Sequence, residues 1–130
     1  MELFKSPGSM VHLPYYKKLL LLLTNIPLLL LIKKNFWLGI TTFTVSTMYH
    51  YKQVTTDRVH EIDHICFFDV IMNIVIFIYL LQDNFTQLMT YLPVALLMCS
   101  PYYFGLRKYY PELHSAWHLF AVIIIFQLFK

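Results

Sequence analysis

The 130-residue chain is 58% apolar and only 13% charged, against roughly 45–50% and about 25% in soluble proteins. A domain of this size buries only about two-thirds of the surface its unfolded chain exposes, so the composition excludes a soluble globular enzyme, a disordered tail and a disulfide-stapled secreted module. The net charge of +3 is too small, and the basic residues too scattered, for a nucleic-acid partner.

What remains is a single polytopic membrane domain, and polar punctuation divides it into about five predicted spans. The first, about 15–32, centres on a leucine run from Leu19 to Ile32 that contains Pro27. It reaches bilayer length only if Tyr15 and Tyr16 enter the interface while Lys17 and Lys18 snorkel. Lys33 and Lys34 end the run with no small-residue cleavage site, so it reads as a retained anchor and not as a signal peptide. The other spans are expected at about 36–51, 62–81, 85–104 and 113–129. Their continuous apolar runs do not alternate as barrel strands do, and helices satisfy their own backbone bonds in lipid. The fold class is therefore an all-α transmembrane bundle. Cys66 and Cys99 both lie in apolar runs and read as small buried hydrophobes. Tyr91, Tyr102, Tyr103, Tyr109 and Tyr110 are expected to anchor the bundle at the interface.

With five spans, Lys5, Lys17, Lys18, Lys52, Arg58, Arg107 and Lys108 share one side of the membrane, and Lys33, Lys34 and Lys130 the other. The positive-inside rule then places the N-terminus in the cytosol.

The informative residues are polar groups that lipid should reject. Ser46 and His50 stand four apart at the end of the second span, Asp69 lies about two turns into the third, and His114 and His118 stand four apart at the start of the fifth. The parity of the spans delivers all of them to about the same depth on the cytosolic side. Ionisable groups inside spans are costly and are functional hypotheses by default. Residues at i and i+4 share a helical face, so His114 and His118 can offer two imidazoles to one zinc ion, with His50 as a third ligand. Three nitrogens leave a fourth position for water, whose pKa zinc lowers to about 7. Asp69 is the candidate to accept and return its proton, and Ser46 to hold the water or a developing oxyanion. A bland alternative has interfacial histidines, with Asp69 bonded to Asn73 or to a neighbouring histidine.

The string from Ser46 to His50 (Ser-Thr-Met-Tyr-His), an aspartate in the next span, and His114-Ser-Ala-Trp-His118-Leu-Phe resemble the three-part motif of the CREST superfamily. That group contains alkaline ceramidases, progestin–adiponectin receptors, haemolysin III proteins and GPI-anchor lipid-remodelling hydrolases. The resemblance implies His50, His114 and His118 as zinc ligands, Ser46 and an aspartate beside the metal, and hydrolysis of an amide or ester in a membrane lipid. It covers about half the chain, and it departs from the group in span number, since members usually have seven. Asp63 before His64 is similar to the haemolysin III pattern and Asp69 to that of the lipid-remodelling members; Asp69 is preferred because its apolar surroundings need a stronger reason. A shortened bundle has fewer walls for a lipid, and a second copy of the chain is one way to close it.

Two rival readings remain. Residues 60–64 read His-Glu-Ile-Asp-His and satisfy the H-E-x-x-H pattern of zinc metalloproteases, with His60 and His64 as ligands and Glu61 as base. His60 or His64 could otherwise support the same ion from a second layer. In the third reading, zinc is structural and staples helices together in a non-catalytic membrane protein.

Overall fold

The computed structural model describes residues 6–103 and 109–128, without the side chains at 83, 95, 98–103 and 128. Lys5, Cys99, Tyr102, Tyr103, Phe104, Arg107, Lys108, Phe129 and Lys130, as residues or as side chains, thus lie outside the described part. Most of the described residues are helical, in the order α1 (Tyr15–Leu23), a 3-10 segment (Ile26–Lys33), α2 (Phe36–Thr55), α3 (Val59–Tyr103) and α4 (Tyr110–Leu128). No strand occurs among them.

Local chemistry explains the boundaries. Proline lacks an N–H, and its ring clashes with the carbonyl four residues back. For Pro27 that residue is Leu23, where α1 ends. The chain continues as a 3-10 segment with Pro27 in its first turn, so the first predicted span is broken and not one regular α-helix. A 3-10 helix rises about 2.0 Å per residue against about 1.5 Å for an α-helix, so residues 15–33 reach about 30 Å, the thickness of a hydrocarbon core. Asn35 caps α2 by accepting from the Leu38 amide at 3.0 Å. Glu61 and Glu112 fall in the first turns of α3 and α4, where the helix dipole favours a carboxylate.

Asn84 departs from helical geometry (φ −135°, ψ 29°) and divides α3 into two limbs. The division falls between the expected third and fourth spans. Two stretches, Tyr15–Lys33 and Val59–Gln82, are long and apolar enough to cross a membrane. In α2 and α4 the apolar run is diluted by buried polar residues: Thr42, Ser46, His50 and Gln53 in one, His114, Ser115 and His118 in the other.

The packing closes a ring. The 3-10 segment lies against α2, α2 against α3, α3 against α4, and α4 against α1 and the 3-10 segment. An apolar cluster of Leu31, Ile76, Leu80, Leu88, Ile124 and Ile125 fills one part of the ring. Met10, Leu21, Val54 and Tyr110 form a second cluster, which brings the N-terminal residues against α1, α2 and α4. The join between the 3-10 segment and α2 is very close: a Cβ on Gly39 would stand 2.4 Å from the Ile32 backbone nitrogen.

Candidate metal centre

A layer of buried polar side chains crosses the ring: Thr24, Asn25, Ser46, His50, Gln53, Asp69, His114 and His118. Their sequence spacing puts them there. On α2, Thr42, Ser46, His50 and Gln53 recur at intervals of four and three, which is one helical face. On α4, His114 and His118 share a face in the same way.

The three histidines meet. The nearest ligand atoms of His50, His114 and His118 all lie within 4.8 Å of one another, and among the described residues this is the one such group of three or more. His50 and His114 approach through their Nε2 atoms at 3.0 Å. The His118 ring centroid is 5.1 Å from that of His50 and 4.6 Å from that of His114. Tyr110 stacks on His114 at 4.9 Å.

Hydrogen bonds fix which nitrogens face inward. His50 Nδ1 lies 2.8 Å from Gln53 Oε1; an amide oxygen only accepts, so Nδ1 carries the hydrogen and Nε2 keeps its lone pair. The Thr24 hydroxyl donates to the Leu20 carbonyl at 2.9 Å, which leaves it to accept from His118 Nδ1 at 3.3 Å. His118 Nε2 then also keeps a lone pair. Two lone pairs cannot face each other at 3.0 Å, so the His50–His114 contact is stable only with a hydrogen on His114 Nε2 or a cation shared by both rings. Tetrahedral zinc with Zn–N bonds of about 2.0–2.1 Å sets its nitrogens about 3.3–3.4 Å apart. The donor set fits a metal ion, with imidazole as the ligand type common to zinc, copper, iron and nickel.

Asp69 is buried within α3. Asn73 Nδ2 donates to its backbone carbonyl at 2.8 Å and to Oδ2 at 3.5 Å, the contact that the bland alternative gave it. Its Oδ1 is buried with no hydrogen-bond partner within normal distance among the described residues, while the Ser46 side chain stands beside the same carboxyl, a thin set of partners for a group so costly to desolvate. The Ser46 hydroxyl donates to Asn25 Oδ1 at 2.7 Å, which leaves its lone pairs as acceptors. Asn25 in turn donates to the Leu21 carbonyl at 2.8 Å.

Of the sequence candidates, only the three histidines form the cluster. His60 and His64 are exposed, because they stand two residues off the buried stripe of Ile62, Cys66 and Asp69 and so fall on the opposite helix face. Glu61 is held by Lys52 at 2.8 Å and Arg58 at 3.0 Å. Asp63 accepts from the Ser6 backbone at 2.9 Å and from its hydroxyl at 2.7 Å. The second layer around the imidazoles is built by Gln53 and Thr24, which the sequence reading missed. Gln53 was findable, one turn after His50; Thr24 lies 94 residues from His118, and no local spacing links them.

No family model matches the sequence, no curated protein matches it, and no solved structure matches it.

Proposed function

We propose that the chain is a five-span membrane protein that hydrolyses an amide or ester bond of a membrane lipid, with zinc held by His50, His114 and His118. The observation that carries this reading is the convergence of three buried imidazoles from α2 and α4, two of them turned by hydrogen bonds so that Nε2 faces the common centre. The resemblance to the CREST superfamily points to the same three histidines, with Ser46 and an aspartate, Asp69 in preference to Asp63, beside them. Zinc, when bound there, supplies a Lewis acid and makes water nucleophilic near neutral pH. Asp69, buried beside the Ser46 side chain, is the residue proposed to take up a proton from water and return it to the leaving group. Ser46 is proposed to orient that water through its acceptor lone pairs.

The lipid assignment draws on an apolar cleft between the 3-10 segment, α3 and α4. Its volume of about 100 Å³ is below the roughly 300–1,000 Å³ of small-molecule sites, so it takes part of one acyl chain and not a whole lipid; Leu28, Asn73, Ile76, Leu80, Trp117 and Ile125 line it, among others. Asn73, one turn from Asp69, marks its polar end. The N-terminus is proposed to be cytosolic, with the metal centre near the cytosolic leaflet.

Metal content of the detergent-purified protein is the decisive measurement. One zinc per chain is expected, lost in His118→Ala. Asp69→Asn should keep zinc and abolish turnover of a ceramide, phospholipid or GPI-like lipid. Metal retained by His118→Ala but lost from His64→Ala would favour the metalloprotease motif. A second reading, a structural zinc site, is favoured by the burial of all three histidines, each at most 6% exposed. Wild-type protein that holds zinc yet turns over none of these lipids would select it.

A further inference from the structure

Gln53 is fully buried and bonded on every polar atom of its side chain. Its Oε1 accepts from His50 Nδ1 at 2.8 Å and from the Tyr110 hydroxyl at 3.4 Å. Its Nε2 donates to the Gly8 carbonyl at 3.4 Å. That last bond decides the orientation of the amide. A carbonyl cannot donate, so the nitrogen must face Gly8 and the oxygen must face His50. Were the amide reversed, its N–H would drive the His50 hydrogen onto Nε2 and remove the lone pair from the centre.

The N-terminal residues that supply Gly8 are themselves fastened. The Met10 amide donates to the Gln53 backbone carbonyl at 2.7 Å, one of the carbonyls that the end of α2 leaves without a helical partner. The Met10 side chain is buried against Leu21, Val54 and Tyr110. Ser6 is tied to Asp63, and Ser9 to Asp57 at 3.0 Å. Gly8 has φ +91°, a left-handed conformation that glycine adopts without steric cost. Its amide donates to the Ser6 hydroxyl at 3.1 Å, and the resulting turn directs the Gly8 carbonyl at Gln53.

We propose that Gln53 is a positioning residue for the metal centre, and that residues 6–10 hold it in the orientation that presents His50 Nε2 for coordination. This rests on the metal-site reading above. Residues 6–10 thereby act on the site through Gln53.

The test uses the full chain in detergent micelles, with Zn²⁺ affinity read by chelator competition and Co²⁺ absorption reporting the coordination geometry. Gln53→Met removes the acceptor at similar volume and should weaken Zn²⁺ binding about 10–100-fold. Gln53→Glu keeps an acceptor facing His50 and should stay within a few-fold of wild type. Gly8→Ala meets no atom within 4 Å but strains the turn, and should weaken binding several-fold. Imidazole ¹⁵N shifts of metal-free wild type should report His50 as the Nδ1–H tautomer. Wild-type affinity in folded Gln53→Met and in Gly8→Ala, or an Nε2–H tautomer at His50, overturns the proposal. Wild-type protein that takes up neither metal overturns the metal-site reading itself, which the tautomer measurement keeps separate.

Discussion

The Asn25 amide serves two helices at once: its nitrogen donates to the Leu21 and Leu22 carbonyls and its oxygen accepts the Ser46 hydroxyl. Leucine has the same branching of heavy atoms but can do neither. Asn25→Leu should therefore cost about 1–2 kcal/mol in reversible unfolding from micelles, the range for a lost buried hydrogen bond between helices. An unchanged midpoint would mean that water takes over these bonds. The meeting of the three histidines was legible because a spacing of four on a helix reads directly from the sequence, and Asp69 drew attention because an aspartate in an apolar run has few innocent explanations. Asn25 and Thr24 were not legible. Standing next to Pro27, they read as punctuation in a leucine run, and only the fold brings them to Ser46 and His118.

At the scale of elements, the contact between the 3-10 segment and α2 is the least forgiving. Gly39 admits the Ile32 backbone so closely that an added Cβ meets backbone atoms at 2.4 and 2.8 Å, which no rotamer change can relieve. Gly39→Ala should destabilise the protein by about 1–3 kcal/mol, as overpacking does, and a thermal midpoint equal to that of wild type would refute the contact. The helix boundaries at Lys33–Lys34 and near Asn84 were legible, since charge and amides interrupt the apolar runs there. The 3-10 character of Ile26–Lys33 was not. A run of leucines has no periodicity to betray its winding, which Pro27 and the close approach of α2 decide.

For the whole molecule, the histidines tie α2 to α4 and, through Thr24, to the end of α1. An ion bound only by the folded state at a hundred times its Kd adds about 2.7 kcal/mol of stability. Chelation should remove that increment from wild type and change nothing in His118→Ala; equal chelator sensitivity in both would place the metal elsewhere. Under the five-span proposal, tags at the two termini should report opposite sides of the membrane, and finding both on one side would undo the shared depth of the site. The helical class and the meeting of the histidines could be anticipated from composition and spacing, whereas the ring of neighbours could not, because lipid-facing and core-facing residues are equally apolar. The order of synthesis follows from that layout. His50 leaves the ribosome 64 residues ahead of His114, an interval on the order of several seconds at about 5–20 residues per second. Until α4 emerges, the earlier imidazole has Gln53 behind it and no companions in front. The three-imidazole group is thus complete only once α4 is made, and a nascent product arrested before residue 110 carries one of its members however well its first helices have packed.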